Sequence, residues 1–299
     1  WLACLPLFHV GGLAIVHRSA FNGATLVLHD RFAVETVAGA LVDQGITHLS
    51  LVPTGLKRLL EAMPGNAPAT LEAILVGGGP VPAELLAKAR RRGFPVLSTY
   101  GLTEACSQVT TERLGEADGA TAGPPLDGTK VRIVDELGKA LPVDAVGEIE
   151  VRGPTVMRGY FGAPDATRAA LRDGWLRTRD LGALDPRGRL AVFARRSDLI
   201  VSGGENVYPA EVEAVLTAHP EVVEAAVVAV DDATWGQIPV ALCVLRQGSV
   251  PEGTLAAWCR AQLASFKVPR RFVPVADLPR TAAGKVDRAR LSALIDQAE

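Results

Sequence analysis

Between residues 25 and 110 short β-branched, apolar runs alternate with stretches of helical spacing, and this alternation constrains the fold more than any other feature. Residues 25–29 are β-rich, and residues 34–44 have helical spacing that stops at Gly45. Residues 47–52 are β-branched and apolar, after which Pro53 and Thr54 open another helix. Residues 71–76 read as a strand, GGGP at 77–80 as a tight turn, and Pro82 as the first turn of a helix that reaches Arg92 and ends at Gly93. Residues 94–99, opening on the apolar run 94–97, read as the next strand. The alternation predicts an α/β fold in which a parallel sheet carries helices on both faces. Ligands of such sheets bind beyond the carboxyl ends of the strands. The GGGP turn and the segment STYGLTEACSQ at 98–108 both sit at such ends, so they are expected to face one crevice.

That segment concentrates chemistry. Tyr100 offers a flat face for a base or ring, and Gly101 lets a backbone or ligand come close. Thr103 supplies a hydroxyl, and Glu104 a carboxylate able to hold a hard cation such as Mg²⁺. A plain strand–turn–helix with Thr103 as the cap is the competing reading.

Downstream the pattern changes. Short β-rich pieces at 130–134, 147–152, 175–178 and 189–194 are separated by Gly, Pro and Asp, which predicts a small antiparallel sheet or distorted, barrel-like β subdomain. Within it Thr178-Arg179-Asp180 stands at a strand end, where an aspartate can accept both hydroxyls of a ribose or simply open a turn. From residue 197 onward the expectation is a small α+β domain, a C-terminal lid: strands at 222–230 and 240–245, a helix at 255–263, a strand at 273–275, and a segment at 279–288 that ends a strand and begins a helix. Pro209 starts a further helix, whose Glu211 and Glu213 suit the helix dipole and read as structural. The expected division is 1–196, made of an α/β part (1–118) and a β part (119–196), followed by 197–299.

Composition narrows the function. A 299-residue chain that is 48% hydrophobic can fill two domains of ordinary size. A net charge of −2 argues against nucleic-acid binding through a basic surface. Cys4, Cys106, Cys243 and Cys259 are scattered, so neither a zinc site nor a disulfide framework is indicated, and a reducing cytoplasm fits. No apolar run reaches 18 residues and no signal-peptide pattern is present, so no membrane span is expected. Nothing in the sequence specifies an oligomer.

The pentapeptide Tyr-Gly-x-Thr-Glu resembles that of the adenylate-forming enzymes, the acyl-CoA synthetase and luciferase superfamily. The resemblance runs in order from LPLFHVGG at 5–12, through GYFGAP at 159–164 and SGGENVYPAEVE at 202–213, to RTAAGK at 280–285. Within the superfamily, GGGP followed by TEACSQ is most similar to the o-succinylbenzoate–CoA ligases of menaquinone synthesis. The resemblance implies ATP, Mg²⁺, CoA and a small carboxylic acid as partners. It implies that Lys285 is the cation on the reacting carboxylate and α-phosphate, that Thr103 and Glu104 are catalytic, and that Glu104 holds the metal. It assigns Gly77, Gly78, Gly79, Tyr100, Gly101, Thr103, Asp180 and Arg195 to the nucleotide. His9 would gate the acyl pocket, shared with Gly78 and Ser107. Arg18, after the apolar stretch 13–16, reads either as a cation for a second carboxylate of the acid or as a surface arginine. Gly203 and Gly204 would line the pantetheine channel while the small domain rotates about a hinge at Ser197 and Asp198.

This sequence departs from the family pattern at two places and lacks a third feature. Arg179 stands where the family has glycine before the ribose aspartate, and Ser197 aligns with a hinge position usually held by Asp or Lys. The family's phosphate loop, of YTSGTTGxPKG type, does not occur, and the chain opens on Trp1. The 299 residues are therefore expected to be the C-terminal part of a larger enzyme. Alternatives are an acyl-CoA synthetase for a fatty or other aromatic acid, a module that loads carrier proteins, and a truncated, non-catalytic nucleotide-binding remnant.

Overall fold

The computed structural model describes the chain except residues 247–249, 252, 282–283 and 297–299. Ala282 and Ala283 of the RTAAGK motif, and the end of the expected C-terminal domain, lie outside the described residues. The chain divides into two units, Trp1–Val192 and Phe193–Glu299.

The first unit opens with the α/β part. Its elements are β1 (Leu2–Ala3), α1 (Val10–Asn22), β2 (Val27–Leu28), α2 (Val34–Asp43), β3 (His48–Leu51), α3 (Pro53–Ala62), β4 (Ala73–Val76), α4 (Ala83–Arg91), β5 (Val96–Leu102) and β6 (Ser107–Thr111). They form a six-stranded sheet in the order β2-β1-β3-β4-β5-β6. β1 to β5 pair in parallel, and β6 is antiparallel on β5. Strand residues of one parity (Leu2, Leu49, Leu51, Ile74, Val76, Val96) share a core with Val37 and Leu41 of α2, Leu56 and Leu59 of α3, and Leu86 of α4. Ala3 and Ser50 have the other parity and are also buried, and α1 contacts β1, β3 and β6. Side chains alternate between faces along a strand, so α1 covers the second face.

Two readings of the 98–108 segment are corrected here. The strand does not stop at Thr99 but continues through Tyr100 and Gly101 to Leu102, because β6 pairs along it. No helix follows: Thr103–Ala105 is a single 3₁₀ turn without a side-chain cap. Gly101 is what allows the two strands to meet, since a Cβ there would lie 1.6 Å from the Ser107 carbonyl oxygen.

The β part contains β7 (Lys130–Val134), β8 (Gly147–Arg152), α5 (Pro164–Ala170), β9 (Leu171–Arg172), β10 (Trp175–Leu184) and β11 (Leu190–Arg195). The strand order is β11-β10-β8-β7, with β9 also on β10. The β7–β8, β8–β10 and β9–β10 pairs are antiparallel. Ile133, Ile149, Val151, Leu176 and Leu190 share a core with Tyr100, Ala105 and Val109, so the end of the first sheet packs into the second.

The second unit carries β12 (Ile200–Ser202), β13 (Glu205–Val207), α6 (Pro209–Thr217), β14 (Val222–Asp232), β15 (Gly236–Leu245), α7 (Thr254–Arg260), β16 (Arg271–Val275) and α8 (Leu291–Asp296). β14 and β15 form a long antiparallel pair that runs out to Asp232↔Gly236, beyond the ends read from the sequence. Opposite parities of this pair bury into two cores: Val227, Ala241 and Cys243 face residues of α6 and α7, whereas Ala226, Val240 and Leu242 face Leu291 and Ile295 of α8. Cover on both faces explains why β14 and β15 read as nearly continuous apolar runs.

The 279–288 segment departs from its sequence reading. It does not end a strand, since β16 stops at Val275, but its last residue, Arg288, does open a helical stretch, the 3₁₀ turn Arg288–Arg290 that leads into α8 (Leu291–Asp296). An Arg280↔Val286 bridge closes it as a loop, reinforced by Thr281 N–H donating to the Lys285 carbonyl at 2.8 Å and Asp287 N–H to the Pro279 carbonyl at 2.8 Å. Gly284 takes φ 78° in its turn.

Candidate active site

In the first unit the antiparallel β5–β6 pair assembles most of the candidate residues. Beyond the end of β4, three consecutive glycines serve different ends. A Cβ on Gly77 would lie 2.4 Å from the Thr99 hydroxyl oxygen, whereas one on Gly79 would meet nothing within 4 Å. Gly78 takes φ 83°, where an L side chain is strained. Gly77 and Gly78 are thus demanded by the fold, and Gly79 leaves backbone open to whatever lies beyond the strand end.

Tyr100, read from the sequence as a stacking surface, is only 9% exposed. Its ring belongs to the core, and what it gives the site is a hydroxyl, which donates to Asp180 Oδ2 at 2.6 Å. Asp180, 7% exposed, is aimed by a β-bulge: the β8–β10 register shifts between Arg177 and Leu181. Arg179 sits in that bulge at φ 61°, and its N–H donates to Glu148 Oε1 at 3.3 Å. The Thr178 hydroxyl donates to the Ile149 carbonyl at 2.7 Å and accepts the Asp180 N–H at 3.1 Å. The arginine therefore adopts the left-handed backbone that glycine takes at no steric cost.

Glu104 follows in the 3₁₀ turn. Its Oε1 accepts the Tyr160 hydroxyl at 2.9 Å, and its carbonyl accepts the Met157 N–H at 2.7 Å. Thr103 beside it is exposed. Among the described residues no three His, Cys, Asp or Glu side chains cluster as a metal cage. A lone half-buried carboxylate suits Mg²⁺ that completes its shell with water and phosphate oxygens, so Glu104 fits a nucleotide-borne magnesium ion.

Arg18 reaches across from α1. Its Nη2 lies 3.4 Å from Ser107 Oγ, and its guanidinium is 5.9 Å from the Trp1 ring centroid. Burial makes the charge harder to hold and lowers its pKa from the ordinary arginine value. Cys106 and Ser107 hold φ values of 54° and 92°, a strained turn that sets the serine hydroxyl opposite Arg18. His9 is less engaged: it is the exposed N-cap residue of α1, with its ring 4.6 Å from that of Phe8.

The remaining candidates belong to the second unit. Arg195 and Ser197 are exposed, and Ser197 Oγ lies 3.0 Å from Asp198 Oδ1 in the 3₁₀ turn Arg196–Asp198. Gly203 and Gly204 are the two central residues of the β12–β13 hairpin, with φ 60° and 86°, as a type I′ turn requires. Gly203 also packs on Trp235, whose ring a Cβ would approach to 2.6 Å. Lys285 is exposed on its loop.

Sequence reasoning missed two supports. Tyr160, the Glu104 partner, lies in the GYFGAP segment, where it had no assigned role. Glu112, 4% exposed, accepts N–H groups of Ser98 at 2.6 Å and Gly119 at 2.8 Å and pairs with Arg90 at 2.7 Å, fixing the root of β5. A charged residue directly after a β-rich run was the available signal.

Residues 1–161 match the AMP-binding enzyme family, and residues 211–285 match the AMP-binding enzyme C-terminal domain. The chain is 46% identical to the 2-succinylbenzoate–CoA ligase of Bacillus velezensis, over 98% of this chain and 60% of that protein. Among solved structures it is similar to the o-succinylbenzoate CoA synthetase of Bacillus subtilis in complex with the acyl-adenylate intermediate, with 43% identity and a TM-score of 0.89 over 97% of this chain and 60% of that one. ATP-bound MatB from Rhodopseudomonas palustris is similar at 32% identity and a TM-score of 0.92, over 100% and 60% of the two chains. The chain thus spans about 60% of the length of the curated relatives it matches.

Proposed function

The chain belongs to the AMP-binding enzyme family, and from that premise we propose that its protein is an ATP-dependent acid–CoA ligase whose acid is o-succinylbenzoate. A carboxylate is a poor acyl donor because its oxygen is a poor leaving group. In the proposed reaction the carboxylate oxygen attacks the α-phosphorus of ATP, and pyrophosphate leaves. The CoA sulfur then attacks the acyl carbon, and AMP departs.

Catalysis of such displacements is chiefly positioning and charge stabilisation. In this reading Lys285 neutralises the reacting carboxylate and α-phosphate, and Asp180, steadied by Tyr100, accepts the ribose hydroxyls. Glu104, oriented by Tyr160, would hold a magnesium ion, which when bound would supply further positive charge. The Gly203-Gly204 hairpin admits the pantetheine arm, and Ser197 and Asp198 form the hinge. The protein works in the cytoplasm on small molecules. Among the described residues no helix is long and apolar enough to cross a membrane. Cys4 and Cys243 are buried with thiol pKa values pushed up to about 12, which agrees with unreactive, reduced thiols.

The observation that carries the choice of acid is the pair Arg18–Ser107, 89 residues apart in sequence and 3.4 Å apart in space. A partly desolvated guanidinium beside the candidate acyl pocket favours an acid with a second carboxylate. The test is CoA-dependent AMP release by the full-length protein, with o-succinylbenzoate, benzoate and a medium-chain fatty acid at equal concentrations. Preference for o-succinylbenzoate that falls on Arg18→Ala through KM supports the reading. Preference for a monocarboxylic acid keeps the chemistry and overturns the substrate.

A further inference from the structure

Within the second unit, one side chain joins segments that the sequence keeps far apart. The Arg288 guanidinium donates to Glu213 Oε1 at 2.6 Å and to the Val227 carbonyl at 2.8 Å, and it lies 3.5 Å from Asp198 Oδ2. Glu213 is on α6, Val227 on β14, and Asp198 in the turn directly after β11. The Glu213 oxygen that takes the arginine also accepts the Val227 N–H at 2.8 Å. Arg288 itself directly follows the loop that carries Lys285, closed by the Asp287–Pro279 hydrogen bond. The other foot of that loop is held separately: Arg280 donates to the Gly284 carbonyl at 3.2 Å and pairs with Glu224 of β14 at 2.5 Å.

The geometry points to Arg288 as a positioning residue that latches the Arg196–Asp198 turn to the Lys285 loop, so that the turn and the lysine move as one piece. The proposal rests on the reading that Lys285 serves adenylation. Only a fork-shaped, permanently charged donor can serve a carboxylate on each side and a carbonyl at once; a lysine in its place is a point charge on a flexible stem. The two foot arginines then differ in kind. Arg280 ties the loop to β14 alone, whereas Arg288 also reaches the turn where the unit begins. Burial raises the Glu213 carboxyl pKa against the opposing pull of Arg288, so the cluster depends on this guanidinium to keep its charge.

The test separates the half-reactions in the full-length protein. Adenylation is read as pyrophosphate release from ATP and acid without CoA. Thioester formation is read as AMP release from synthetic acyl-adenylate and CoA. Variants are Arg288→Lys, Arg288→Gln and Asp198→Asn; the last removes one charge from a half-exposed side chain and leaves the Glu213 contact intact. Each is expected to lower the ratio of adenylation to thioester rates on the order of tenfold, through kcat with the ATP KM little changed, because a misplaced catalytic group costs rate more than binding. Arg288→Lys should retain more of the ratio than Arg288→Gln. An unchanged ratio for Asp198→Asn, or equal loss in both half-reactions, overturns the latch. Lys285→Ala is the control on the underlying reading. If it leaves adenylation intact, that reading fails and takes the latch with it; if it removes adenylation while Asp198→Asn does nothing, the latch alone fails.

Discussion

The Tyr100 hydroxyl donates to Asp180 Oδ2 across 2.6 Å and so ties β5 of the first sheet to the bulge in β10 of the second. The two residues are 80 positions apart, and both are at least nine-tenths buried. A buried carboxylate that loses a donor keeps its desolvation cost. Tyr100→Phe is therefore predicted to destabilise the protein by about 1–3 kcal/mol and to raise the KM for ATP. Chemical denaturation and initial-rate kinetics measure the two effects; a fully stable variant would show that the hydroxyl is dispensable to the fold.

The glycines beside this pair make opposite predictions. A Cβ on Gly101 would meet the Ser107 carbonyl oxygen, carbonyl carbon and the Gln108 Cα, all backbone and all within 2.9 Å. Gly101→Ala should cost about 3 kcal/mol or more, because β6 must move. Gly79→Ala projects into open space, so its melting temperature should match that of the parent. If Gly79 backs a bound ligand, the variant instead raises the KM for ATP or acid. A stable Gly101→Ala protein with an intact β5–β6 pair would contradict the packing described.

Arg179 occupies the left-handed region with φ 61°, a conformation that costs a non-glycine residue roughly 1–2 kcal/mol. Glycine would relieve that strain and lose about 0.5–1 kcal/mol to the entropy of the unfolded chain. Arg179→Gly should thus lie within about 1 kcal/mol of the parent, while the β-branched Arg179→Val should be clearly less stable. Urea titration of both variants decides; equal destabilisation would mean that the side chain, rather than the backbone, matters here.

Asp118 accepts the Ala120 N–H at 2.9 Å and pairs with Arg189 at 2.5 Å. The Ala120 N–H first, and Arg189 in support, hold the Asp118 carboxyl below the ordinary carboxylate pKa against the opposing effect of desolvation. A folded-state pKa below the unfolded one means that the unfolded chain binds the proton more readily. The stabilisation is present above the unfolded value and is lost as pH falls through the folded one. Asp118→Asn should therefore be less stable than the parent at neutral pH, with the difference shrinking as pH falls through the folded-state pKa. Denaturation midpoints across that range measure it; a difference that persists at the acid end would assign the effect to something other than ionisation.

The features legible along the chain were local. The period of apolar residues specified the strands and helices from β2 to α4, since alternation and helical spacing depend on near neighbours along the chain. Gly45 and Gly93 marked the ends of α2 and α4 because positive φ is a property of a single residue. The order of the motifs carried the family. Packing in three dimensions made Tyr100 a buried hydroxyl rather than a stacking face, and made the 98–108 segment two paired strands around one 3₁₀ turn. It also decided that Tyr160 would orient Glu104 and Arg288 would hold Asp198. The pairs Arg18–Ser107, Glu104–Tyr160, Tyr100–Asp180 and Glu213–Arg288 are separated by 89, 56, 80 and 75 residues. No periodicity reaches over such distances; those contacts exist because hydrophobic burial packs sheets and helices together, and packing chooses which polar groups meet.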